Sequence, residues 1–220
     1  MLYWLLILII PIIASANVKL TYGKYSKVYN SRGWTAEQVA RRILDNNGLY
    51  HVRIERVPGN LSDHFDPTAN VVRLSDSVYG KTSVAAIGVA AHECGHAVQH
   101  AESYAPIVMR SKMVPITNFC SHASYILILL GMVFSYNELL INIGIILFLG
   151  VVAFQFITLP VEFDASSRAL KTLEGDAILD TDEINKSAKV LRAAALTYVA
   201  ALLTAILNLL RLIAMTRRRN

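Results

Sequence analysis

The stretch Ala90-Ala91-His92-Glu93-Cys94-Gly95-His96-Ala97-Val98-Gln99 decides how this chain is read. It lies in an Ala- and Val-rich segment, residues 83–101, whose apolar positions Val84, Ile87, Ala91 and Val98 recur at helical spacing. On a helix, residues four apart share a face. His92 and His96 can therefore point at one tetrahedral metal. Glu93 projects beside them, where a carboxylate can take a proton from water. Charged and imidazole groups on so apolar a helix need partners, which favours a zinc site over a chance string of residues. Cys94 falls on the opposite face and reads as a small core residue.

A catalytic zinc site takes three side chains and keeps a fourth position open. The metzincin pattern, with a glycine and a third histidine further along, is excluded because the matching positions hold Gln99 and Glu102. A gluzincin-like site takes a glutamate from a later helix, and Glu162 in Leu159-Pro160-Val161-Glu162-Phe163-Asp164-Ala165-Ser166 is the best placed. It follows an apolar hairpin. Two spans return the chain to the side it left, so Glu162 can meet the histidines without crossing a membrane. Asp164 also offers oxygen, but residues two apart on a helix point to different faces.

Outward from these segments, apolar residues gather in blocks. Of 220 residues, 54% are hydrophobic and 17% charged, and the mean hydropathy is +0.43; ordinary domains carry about a quarter charged residues. Residues 1–20 read as an N-terminal membrane anchor. A signal peptide is the rival, because Ala14-Ser15-Ala16 resembles a cleavage site, but a basic start is missing. Residues 21–115 read as a water-soluble domain. Thr35-Ala36-Glu37-Gln38 is a capping box opening a helix that Gly48 ends. Residues 51–57 alternate as a strand, Pro58-Gly59-Asn60 turns, and residues 70–74 form a second strand. Residues 116–159 make a transmembrane hairpin, with helices over 118–134 and 139–159 joined at Ser135-Tyr136-Asn137-Glu138. Pro160 closes it. Residues 160–192 supply the third ligand and a second capping box, Asp180 with Glu183. Residues 193–220 form a last apolar helix and a basic tail, Arg217 to Arg219.

The net charge of +5 is spread between apolar blocks. That pattern suits membrane topology and excludes a nucleic-acid partner. Cys94 and Cys120 give no disulfide framework. Arg110 and Lys112 precede the hairpin, Arg168 and Lys171 follow it, and its turn has no Lys or Arg. The positive-inside rule then puts the active site on the cytoplasmic side. The terminal arginines conflict with this if the last helix crosses once.

The two chemistry-bearing segments, with Tyr25-Ser26-Lys27-Val28, Val39-Ala40-Arg41-Arg42-Ile43-Leu44, Leu61-Ser62-Asp63-His64-Phe65-Asp66-Pro67 and Leu191-Arg192-Ala193-Ala194-Ala195-Leu196-Thr197-Tyr198, resemble the neutral zinc metallopeptidases of bacterial membranes, the YugP-like family. The resemblance runs over nearly the whole chain. It implies Zn2+, peptide-bond hydrolysis and an integral location in the bacterial cell membrane. More distantly the chain is similar to membrane-bound gluzincins, which usually carry Glu-x-x-Ala-Asp around the third ligand. Ser166 stands where that aspartate would be, so holding a histidine falls to Asp164 or Ser166.

The expected fold is α+β: a small zincin-like, gluzincin-type catalytic domain fused to transmembrane helices. His92, His96 and Glu162 are the expected ligands and Glu93 the expected base. His100 continues the histidine face and is either a substrate or oxyanion contact or, the favoured reading, a polar residue at the helix end. Asp63, His64 and Asp66 either line a substrate cleft or form an Asx-type turn before Pro67. Arg168 and Tyr79 are candidate oxyanion stabilisers. The expected partners are a peptide or membrane-protein substrate and the lipid bilayer. The rival functions are a catalytically silent zinc scaffold and a transporter component.

Overall fold

The computed structural model describes residues 2–217, so Arg218 and Arg219 of the basic tail lie outside the described residues. The chain is mostly helical. In order it forms α1 (Leu2–Tyr25), α2 (Ala36–Asn46), β1 (Arg53–Val57), β2 (His64–Asp66), β3 (Val71–Ser75), α3 (Val84–Ala101), α4 (Ala105–Val133), α5 (Glu138–Gly175) and α6 (Thr181–Arg217). Four of these helices, α1, α4, α5 and α6, are long and apolar enough to cross a membrane.

One compact unit comprises Ser15–Tyr104 and Val161–Leu196. Its sheet has the order β1-β3-β2, with β1 parallel and β2 antiparallel to β3. β2 is a strand that the sequence reading missed, because three residues before a proline carry no readable alternation. α2 starts where Thr35 N–H donates to Gln38 Oε1 at 3.0 Å. α3 is capped by Ser83, whose hydroxyl accepts from Ala86 N–H. The core gathers Val39, Ile43 and Leu44 of α2, Val72 and Leu74 of β3, and Val84, Ile87 and Ala91 of α3. α3 is buried almost all round, and its close neighbours are set by glycine. A Cβ on Gly95 would meet Ala165 O at 2.8 Å, so only glycine lets the α5 backbone pass there.

The other unit comprises the start of α1 through Ala14, Ala105–Pro160 and α6 from Thr197 onward. α4 and α5 turn back on each other at Ser135 and Tyr136, both in the left-handed region with φ of 52° and 58°. Small residues let the two helices approach. A Cβ on Gly144 would lie 2.6 Å from Ile128 and 3.0 Å from Ser124 O, the close contact that apolar helix pairs use. Ile128, Phe148 and Leu212 form this unit's core.

Two expected helix limits are corrected. Pro160 does not end the apolar helix, for α5 runs through it to Gly175. An interior proline costs roughly 3 kcal/mol. Beyond it, Val161, Ala165, Ala169 and Leu173 repeat at four-residue spacing and are 0–2% exposed. Burying one Val or Leu side chain returns about 1.5–3 kcal/mol, so this stripe outweighs the break. Likewise α6 starts at Thr181, well before the apolar run at 193. The reciprocal Asp180–Glu183 capping box nucleates it, with N–H to carboxylate distances of 3.0 and 2.8 Å.

Candidate metal centre

α3 carries His92 and His96 one turn apart, and their rings sit edge to face with centroids 4.7 Å apart. α5 brings Glu162 against them. His92 Nε2 lies 3.3 Å from Glu162 Oε2, and His96 Nε2 lies 3.6 Å from the same oxygen. Glu162 is 2% exposed and His96 8%. The three donor atoms all lie within 4.8 Å of one another, and they are the one such metal-capable group found among the described residues.

This donor set fits zinc. Bonds of 2.0–2.1 Å in a tetrahedron separate donors by about 3.3–3.4 Å, close to the two distances from Glu162. The far ring nitrogens are engaged. His92 Nδ1 lies 3.1 Å from Ser166 Oγ, and His96 Nδ1 donates to Gln99 Oε1 at 3.0 Å. A proton held at Nδ1 leaves the Nε2 lone pairs facing the centre. Burial lowers the proton affinity of His96, but the nearby Glu162 and Glu93 carboxylates more than offset it. In the metal-free protein they hold this ring above the usual histidine range.

Glu93 is buried beside the cluster, and its Oε2 accepts from the backbone N–H of Phe65 at 3.1 Å. Phe65 is the middle residue of edge strand β2, paired with Val72. Its N–H points to Glu93 and so away from β3. The outer edge of the sheet therefore faces the candidate base.

Gln99 is the residue that sequence reasoning passed over, having been weighed only as a missing histidine. It is fully buried. Its Nε2 donates to Val161 O and to Asp164 Oδ2, both at 2.8 Å. Asp164 also accepts from Arg168 Nε at 2.5 Å, and Arg168 reaches Glu102 at 2.7 Å. Asp164 thus touches no histidine and acts on His96 only through Gln99, whereas Ser166 touches His92 directly. The signal for Gln99 was its spacing, one turn beyond His96.

The remaining candidates lie elsewhere. Arg168 is tied to two carboxylates and stacks near the Tyr104 ring, 5.8 Å from its centroid. Tyr79 lines a different groove, with Trp34 and Arg41. His100 is exposed and packs edge-on against Phe65. His64 is exposed, with Nδ1 2.9 Å from Ser62 O. Asp63 accepts from the Ser75 N–H and hydroxyl, at 2.7 and 2.9 Å, pinning the approach to β2 onto β3. Burial raises its pKa despite these bonds. Asp66 makes the Asx-type turn, accepting from Thr68 and Ala69 N–H. Asp63 thus holds the approach to β2 and Asp66 makes the turn before β3. Cys94 is wholly buried, its Sγ 3.6 Å from Ala40 O, and burial pushes its thiol pKa up.

The sequence profile of a family described as "Putative neutral zinc metallopeptidase" matches residues 1–217. A protein of Bacillus subtilis (strain 168), described as "Putative membrane protease YugP", is 53% identical over 200 residues, which cover 91% of this chain and 88% of that relative. No solved structure matches the chain. The chain belongs to the family described as "Putative neutral zinc metallopeptidase", and zinc is its metal.

Proposed function

We propose that this protein is a membrane-embedded zinc endopeptidase in which His92, His96 and Glu162 hold the metal and Glu93 is the general base. The observation that carries the reading is the convergence of both imidazole Nε2 atoms on one Glu162 oxygen, with Glu93 adjacent on the same helix. When bound, zinc supplies Lewis acidity and brings the pKa of water close to neutrality. Glu93 takes the proton from the attacking water and passes it to the leaving amine. The Phe65 N–H fixes one Glu93 oxygen and so aims the other. A structural zinc site is closed and has no use for a buried carboxylate aimed this way.

The helix, edge strand and later glutamate follow the gluzincin plan, which supports a zincin-like catalytic domain. The substrate class is an extended peptide segment, including segments of membrane proteins. It lies along the outer edge of β2, beside Glu93. Arg110, Lys112, Arg168 and Lys171 flank the hairpin, while its turn is uncharged by Lys or Arg, so the active site belongs on the cytoplasmic side. A cysteine at exposed Asn137 should react with an impermeant thiol reagent added outside cells. Protection of that cysteine would reverse the orientation.

The decisive experiment compares wild type with Glu93→Gln in detergent. Both should hold about one zinc per chain, and only the wild type should cleave a generic unstructured peptide. Equal cleavage by the variant rejects Glu93 as base. Zinc in both with cleavage in neither leaves a metal-bearing scaffold.

A further inference from the structure

Three cations gather away from the metal centre. Lys24 near the end of α1 and Lys189 and Arg192 on α6 line a groove of about 400 Å³, together with Asn17, Leu20, Thr21, Tyr25, Ala193 and Leu196. No acidic side chain lines it. The ammonium groups of Lys24 and Lys189 both lie over the Tyr25 ring, 5.3 and 6.0 Å from its centroid. Tyr25 is itself anchored in the core and only 8% exposed. Two like charges therefore converge on one fixed ring, with Arg192 beside them. Such an arrangement is self-repelling and favours an anion between the charges.

The apolar side of the groove says which anion. Leu20 is 75% exposed and Leu196 52%. Leu20 lies four residues nearer than Lys24 to the uncharged N-terminal run. Leu196 lies four residues further than Arg192 into the apolar part of α6. Four helical residues rise about 6 Å. On α6, then, the cations stand where the polar segment ends and an exposed leucine stands one turn deeper; on α1, Leu20 lies one turn nearer the apolar run than Lys24, beside Lys19, the last charge before that run. Asn17, whose Oδ1 accepts from the Thr21 hydroxyl, adds an uncharged amide donor on the α1 side. A free phosphate would use the cations and leave the leucines in water. A lipid with a phosphodiester headgroup and acyl chains satisfies both halves.

We propose that this groove binds the headgroup of an anionic phospholipid, with Lys24, Lys189 and Arg192 around the phosphate and the acyl chains along Leu20 and Leu196. The site is separate from the zinc cluster and uses none of its residues.

The test is native mass spectrometry of the full-length, zinc-loaded protein with dioctanoyl-phosphatidylglycerol, dioctanoyl-phosphatidylcholine or inorganic phosphate. Wild type should prefer the glycerol lipid over the choline lipid, and equimolar phosphate should not displace it. Replacing the three cations together, Lys24→Gln, Lys189→Gln and Arg192→Gln, should weaken that binding by about tenfold or more, with zinc content unchanged. A control replacing the exposed Lys27, Arg32 and Lys81 should bind as wild type does. If the triple variant melts early, Lys189→Gln and Arg192→Gln alone should each cost about fivefold. The proposal is overturned if the groove variants bind as wild type, if the control loses as much, if the two lipids bind alike, or if phosphate displaces the lipid.

Discussion

His96 and Gln99 form the pivot of the metal centre: His96 Nδ1 donates to Gln99 Oε1 at 3.0 Å, and the Gln99 amide is in turn fixed by Val161 O and Asp164. The neutral amide does here what a carboxylate does at many zinc sites, setting the ring's tautomer and angle. Gln99→Leu should therefore lower zinc affinity by roughly 10- to 100-fold, and Gln99→Glu should lower it as well, because it keeps the acceptor for His96 but sets a carboxylate against Val161 O and Asp164. Zinc retained under a graded chelator challenge is the measurement, and a Gln99→Leu protein as tight as wild type would remove Gln99 from the site.

Glu162 and Asp164 are separated by the same logic. Glu162 Oε2 faces both histidines, whereas Asp164 faces Gln99 and Arg168. Glu162→Gln should lose zinc and peptide cleavage together. Asp164→Asn should be milder, a loss of roughly 10- to 100-fold in zinc affinity. The opposite ranking under one chelator series would move the third ligand to Asp164.

Gly95 is predicted to be irreplaceable even by alanine. The added Cβ would lie 2.8 Å from Ala165 O and 3.2 Å from its Cα, both backbone atoms that cannot swing aside. Overpacking of this kind costs about 1–3 kcal/mol. Because the same contact carries Glu162 and Ser166 to the histidines, Gly95→Ala should lower both the melting temperature and zinc content. A variant with normal values of both would show that α5 can give way.

The raised pKa of His96 gives the metal-free protein a distinctive pH response. A folded pKa above the unfolded value of about 6.5 stabilises the fold below that value, and the contribution is lost as pH rises through the folded pKa. The metal-free protein should thus melt lower at about pH 8.5 than at about pH 6, and His96→Asn should flatten the slope. With zinc the sign reverses, because the metal must displace the ring proton. Melting curves in detergent with and without chelator check both signs.

By itself the sequence determined the metal motif and the apolar segments. Both are local: four-residue spacing puts His92 and His96 on one helix face, and mean hydropathy over a helix length marks α1, α4, α5 and α6. It also singled out Glu162, since a hairpin returns the chain to its starting side. Only the tertiary structure decided that α5 runs through Pro160, because the stripe Val161, Ala165, Ala169 and Leu173 is worth more than one lost backbone bond. Only the tertiary structure gave Gln99 its partners, which come from residues 62 and 65 positions away, and set the Phe65 N–H on Glu93 across 28 positions. Periodicity reports which face of an element is buried. It carries no information about which distant backbone atom meets that face, and the orientation of this metal centre depends on those meetings.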